Sequence, residues 1–463
     1  MGYRFGRLMT RFAIAMGLFA GAGAAHGAPL PASGVTFAKD IAPIVFNHCT
    51  TCHRSGEVAP FPLMSYADVA RHSHEIADLT QGRTMPPWKP ADGYGDFAGA
   101  RRLTDHEIEL IQQWVKAGKP EGNAADLPPM PQFKSGWMLG QPDMIVRMPE
   151  AFTLQADGPD QYRVFPIPLN LDHDVYVSAV EYRPSNPKIV HHTLLYLDNS
   201  GTARQLEAES KQKPGYPRVG APGFLPSGGL GGWAPGVTPR FLPDGVGRPI
   251  RAGADLVLHT HFHPSGKVEK EQSVVGLYFT KQLPEKVLVA VPHGTRTLDI
   301  APGDNHYVIQ STFTVPGNIE LEGIFPHAHL LCREIKVTAE LPDGSTLPLI
   351  WIKDWDWNWQ DFYHYSHVQQ IPQGTKVTQE FVYDNSADNP HNPSSPPQRV
   401  RYGEQTKDEM ALVFYQILID RQRAEMLQAL GRFRRLGARA NSTTGAQSPS
   451  HDESNRPSPS NGS

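Results

Sequence analysis

Cysteine is scarce: three residues in a chain of 463, too few for a disulfide framework in a protein of this size. Positive charge is not in excess either. The net charge is -4 and only 19% of residues are charged, so a basic face for nucleic acid is not expected. Long apolar runs are nearly absent. "FAIAMGLFAGAGAA", which follows Arg4, Arg7 and Arg11, is short for a bilayer span and reads as an export signal over residues 1–27, with small residues from Ala25 to Ala28 suited to cleavage. The expectation is a periplasmic or secreted protein with no stable membrane span. Glycine and proline are plentiful, at 42 and 43, which suits many short strands joined by turns.

Two of the three cysteines lie together in "FNHCTTCHRSG". Cys49, Cys52 and His53 have the C-x-x-C-H spacing that attaches a c-type haem, with two thioethers to the vinyl groups and the histidine as an axial ligand. Downstream, "GRTMPPWKP" offers Met85 as a second axial ligand in a proline-stiffened loop; Met64, His72 and His74 are alternatives. "LTDHEIELIQQWVKAGKP" then reads as a helix from Thr104 to Ala117 with a Thr104/Glu107 capping box and Gly118 as its stop. This order resembles that of a small c-type cytochrome, and it implies a mainly α cytochrome c domain over residues 28–122. A proline-rich linker follows, residues 123–142.

From about Asp143 the pattern becomes short alternating runs such as "DVYVSAVEY", "KIVHHTLLYL", "ADLVLHTHFH" and "REIKVTAEL". These predict two tandem antiparallel β-sandwich, or jelly-roll, units over residues 143–284 and 285–422. Histidine recurs inside them: His191-His192; His259, His261 and His263 at alternate positions; His327 and His329; and the looser His364 and His367. Alternate residues of a strand share a face, so the three imidazoles of "HTHFH" line one surface. Adjacent histidines face opposite ways, and His191 and His192 share a metal only at a bulge or a strand end. Imidazole suits zinc, copper, iron and nickel, and no carboxylate joins these motifs. Met410, in "GEQTKDEMALVFYQI", would add a soft thioether that selects copper(I). Cys332 has no histidine and methionine after it to form a blue-copper loop and reads as a small buried hydrophobe.

"KIVHHTLLYL", "LHTHFHPSG", "FPHAHLL" and "YGEQTKDEMALVFYQ", in this order over residues 140–420, resemble the type II copper, ascorbate-dependent monooxygenases, which include the peptidylglycine-hydroxylating and dopamine β-hydroxylating enzymes. The resemblance implies two jelly rolls facing each other across a wet cleft, each with one copper ion. It implies an electron-transfer copper at His191, His192 and His261, with His259 and His263 on the same face able to take the place of His261. It implies an oxygen-binding copper at His327, His329 and Met410, where a C–H bond would be hydroxylated with O2. Where peptide-amidating members hold a substrate carboxylate, this chain has Phe325, Leu412 and Phe414, so a small apolar substrate is expected instead.

Two copper ions and a covalently bound haem c are the expected cofactors, the haem taking electrons from a periplasmic donor in place of ascorbate. The rival expectation is a haem and copper electron-transfer or copper-binding protein without oxygenase activity. The aromatic cluster "WIKDWDWNWQDFYHY" reads as core. Residues 423–463 read as a short helix and a disordered tail.

Overall fold

The computed structural model describes residues 34–57, 59–133, 136–357 and 359–426. The expected export signal and almost all of the expected tail lie outside them. Strand dominates, at 36% against 14% helix. Short runs of strand-forming residues, separated by turns rich in glycine and proline, are the local cause.

The first β unit sets a five-stranded sheet against part of a larger one. The small sheet runs Tyr216–Pro217, Gln161–Pro168, Asp255–Phe262, Val190–Asp198, Gly228–Trp233. Its central strand, Asp255–Phe262, is buried at every position. Phe165, Leu195, Leu256, Leu258 and Phe262 form the core with Val177, Val275 and Leu277 of the facing sheet. The second unit packs Tyr307–Thr314, Lys376–Tyr383, Cys332–Glu340 and Thr346–Ile352 against Lys286–Thr295, Ala411–Asp420, Ile319–His327 and Tyr363–Ile371.

The two units share one sheet. Eight strands run continuously through both, because Val246–Ile250 of the first pairs in parallel with Lys286–Thr295 of the second through Lys286 with Val246 and Val287 with Gly247. The expected division after residue 284 falls in the turn that enters this second strand.

The expected mainly α cytochrome c domain is corrected by the structure. Over residues 34–122 the helices are Phe37–Ile41, Ala42–His48, Tyr66–Arg71, Ser73–Gln81 and Asp105–Lys116, and the longest has 12 residues. Pro60, Pro62, Pro86, Pro87 and Pro90 keep the intervening chain out of helix. The capping box of Thr104 and Glu107 is present, so that helix forms where the sequence predicts it. The segment has a small core of its own around Phe37, Ile41, Val69 and Trp114. It is also tied into the β structure: Pro90 bridges to Ile352 and Phe97 to Tyr365, and Phe97 and Trp88 pack into the core of the second β unit. The cytochrome c description therefore gives way to a loop-rich cap on a β-rich molecule.

Candidate metal centre

The strands Val190–Asp198 and Asp255–Phe262 pair antiparallel, with His192 directly opposite His261. The register slips between Val190 and His192, so a bulge falls on His191. The extra residue lets both members of the H-H pair face one side. His191 Nδ1 and His192 Nδ1 stand 3.0 Å apart, and the His261 ring lies 4.7 Å from that of His191 and 5.1 Å from that of His192. Ligand atoms of all three lie within 4.8 Å of one another.

Pairing register separates the three imidazoles of "HTHFH". His261 alone joins the cluster. Its Nε2 donates to Asp160 Oδ2 at 2.7 Å, while its Nδ1 is buried without a hydrogen-bond partner. An orphaned ring nitrogen backed by a carboxylate on the other side is the arrangement of a metal-ligating histidine. His263 is exposed and donates to the other oxygen of Asp160 at 2.7 Å. His259 turns to the Arg218 carbonyl, 2.9 Å away. Burial would raise the pKa of Asp160, but the hydrogen bonds and charges of His261 and His263 hold it down at about 2. Burial keeps His192 neutral, the form that binds metal.

The second set lies at the end of the second unit. His327 closes the strand Ile319–His327 opposite Leu412, His329 follows two residues on, and Met410 stands immediately before the partner strand Ala411–Asp420. His327 Nδ1 is held by Gln360 Oε1 at 2.6 Å and His329 Nδ1 by the Asp408 carbonyl at 3.0 Å. Both Nδ1 atoms are thus engaged, so Nε2 is the nitrogen each ring could offer a metal. The two rings meet edge to face at 5.2 Å. Burial lowers the pKa of His327, and that of His329 to about 3.

Glu409, next to Met410, binds this set together. Its carboxyl accepts from the backbone N–H groups of His329, Leu331 and Met410 at 2.9, 2.6 and 3.2 Å. Burial pushes its pKa up to about 8 against those donors. Beside His327, Phe325 stacks on Phe362 at 4.3 Å and lies 5.7 Å from Phe414, and Leu412 is opposite His327 in the strand pairing.

The cluster read as core divides into three roles. Trp355 is buried and donates from Nε1 to the His329 carbonyl at 3.1 Å. Trp357 lies between the two histidine sets, 6.1 Å from His191, 6.4 Å from His327 and 5.1 Å from His329. Trp359 lines a cavity of about 890 Å³. The two sets therefore meet across an indole, where the resemblance implied a wet cleft.

Cys49, Cys52, His53 and Met85 line that cavity, as do Phe362 and His364. His53 Nδ1 donates to the Phe61 carbonyl at 3.0 Å, which leaves Nε2 unprotonated, as an axial ligand requires. Both cysteines are free thiols, with burial pushing Cys49 up to about 12. The volume suits a large planar ligand, so these residues fit a haem. Met64, His72 and His74 are not on the wall; the His72 ring lies flat on Phe61 at 3.7 Å. His364 donates to Glu322 at 2.9 Å, and Arg240 approaches the same carboxylate at 3.7 Å. His367 is exposed on its strand. Cys332 is buried, as expected.

No family model matches the chain, and no curated protein matches it. Among solved structures, PNGF-II in a C2 crystal form is similar over 60% of this chain and 64% of its own, with 8% identity and a TM-score of 0.26. This chain thus spans less than two thirds of that protein's length. The major capsid protein P2 of bacteriophage PM2 is similar over 53% of this chain and 99% of its own, with 8% identity and a TM-score of 0.22. Likenesses this weak carry no argument about function.

Proposed function

We propose that the chain is an exported, copper-dependent monooxygenase that hydroxylates a C–H bond of a small apolar molecule, with a haem attached at Cys49 and Cys52 in its electron supply. One observation carries the proposal. A triangle of imidazoles, His191, His192 and His261, lies across Trp357 from a second pair, His327 and His329, and Met410 stands at the head of the strand that pairs with the one His327 closes. A three-imidazole set and a two-imidazole, one-thioether set are the donor sets the copper monooxygenases use, and the soft sulfur selects copper(I) over zinc.

Copper bound at these residues would supply one-electron storage at the first set and dioxygen chemistry at the second. A haem held by Cys49, Cys52, His53 and Met85 would supply electrons one at a time.

The chain's own residues prepare the site. Asp160, Gln360 and the Asp408 carbonyl each fix one ring nitrogen and so aim the other. Phe325, Phe362 and Phe414 keep water from the approach to His327 and accept an apolar substrate, while offering no charge to a substrate carboxylate.

Copper-loaded protein, reduced without oxygen and then mixed with labelled O2 and a panel of apolar substrates, is expected to place label in product by mass spectrometry. Met410→Ala should lose at least about 100-fold in product formation, a barrier change of about 3 kcal/mol, while keeping copper at the three-histidine set. Copper bound at both sets with no label in any product would reject the oxygenase. An electron-transfer protein is the second reading, favoured by one observation: Trp357 occupies the space between the sets.

A further inference from the structure

Trp357 belongs to the second β unit, yet its ring is nearly parallel to His191 of the first, at 22° and 6.1 Å. Its other neighbours are His329, met edge to face at 5.1 Å, and His327 at 6.4 Å. One indole therefore has rings of both histidine sets within 6.4 Å of its own.

The position is fixed from both sides. Two residues before it, Trp355 Nε1 donates to the backbone carbonyl of His329 at 3.1 Å. Three residues after it, Gln360 Nε2 donates to the carbonyl of Trp357 at 3.1 Å, and the same side chain accepts from His327 Nδ1 at 2.6 Å. The loop that carries the ring is bolted to both histidines of the second set.

Electron transfer between two metal ions falls off steeply with the gap in conducting orbitals. A π ring in contact with ligands on both sides shortens that gap, where water or saturated side chains would not. We propose that Trp357 is the electronic bridge between the two metal sets, carrying one electron at a time from an ion at His191, His192 and His261 to an ion at His327, His329 and Met410. This rests on the copper reading above. In the step the first ion is oxidised from copper(I) to copper(II), and the second is reduced from copper(II) to copper(I). No bond forms or breaks, no proton moves, and the indole ends unchanged. Trp357 acts through the ligands and is a positioning residue in this scheme.

The test uses the full chain loaded with two equivalents of copper(II). His191→Ala and His327→Ala variants assign the two cupric EPR signals. Half an equivalent of ascorbate is then added without oxygen, and rapid freeze-quench EPR follows redistribution of the electron between the sets. Trp357→Leu should keep both cupric signals and slow redistribution at least about tenfold, about 1.4 kcal/mol in barrier. Trp357→Phe, which keeps a π ring, should fall between it and the unaltered protein. A Leu variant that holds both ions and equilibrates as fast as the unaltered protein overturns the bridge. Loss of copper from both variants overturns it too, since the ring would then be a packing element. Failure of the unaltered protein to bind copper at either set, read from metal content, rejects the copper reading itself and is distinct from both.

Discussion

Asp160 accepts from two of the three imidazoles in "HTHFH", at 2.7 Å each. Through His261 Nε2 it decides which nitrogen of that ring faces His191 and His192. Replacing it by asparagine keeps the shape but removes the charge and one acceptor oxygen. Asp160→Asn is expected to weaken copper at the three-histidine set by about 10- to 100-fold and to leave the second set unchanged, as chelator competition would measure. Alternation along the strand showed that His259, His261 and His263 share a face. It could not tell which of them the site uses, because that depends on His261 being opposite His192 in the pairing, a register that no local pattern encodes. Asp160 was illegible for the same reason: it lies in a turn about a hundred residues before its partners.

At the scale of the element, two departures from regular strand make the site. The bulge at His191 brings adjacent histidines to one side, and the segment after His327 leaves its strand and is recaptured by Glu409. The condition for an H-H pair to act together was readable in the sequence; the bulge itself was not. Glu409→Gln replaces an acceptor oxygen by an amide that has no lone pair to offer, leaving at least one of the His329, Leu331 and Met410 N–H groups unsatisfied. A loss of about 1–3 kcal/mol is expected, visible as a lower Tm, with weaker copper binding at His327, His329 and Met410. Capping chemistry was the most legible element feature: the helix Asp105–Lys116 starts at the Thr104 box that the sequence showed. The aromatic cluster was the least, since spacing cannot separate a core tryptophan such as Trp355 from one placed among histidines such as Trp357.

Across the whole molecule, the β-rich character was legible from alternation and turn residues. The mainly α cap was not to be found, because a cysteine-histidine motif speaks of chemistry and says little about helix length. Charge in the interior gives a further check. Glu322 is buried, and although burial alone would raise its pKa, the hydrogen bond from His364 and the nearby Arg240 and Arg248 hold it below the ordinary 4.5. A carboxyl with a lowered folded pKa contributes stability above its unfolded pKa and loses it as pH falls through the folded one. Glu322→Gln should therefore be less stable at pH 7, by roughly 3–5 kcal/mol for a broken buried pair. The gap should narrow as the pH falls below the ordinary carboxylate range and the unaltered protein protonates; denaturant melts at several pH values would reveal it, and a gap constant with pH would refute the assignment.

The ladder between Val246–Ile250 and Lys286–Thr295 has only two paired rungs, at Lys286 with Val246 and Val287 with Gly247. Packing buttresses the seam: Leu242 and Val246 lie against Leu288 and Leu418, and Tyr176 against Val287 and Ala424. The spacing of the two histidine sets is therefore inherited from the join between the units, and the 6.1 Å from the Trp357 ring to His191 is where that inheritance shows.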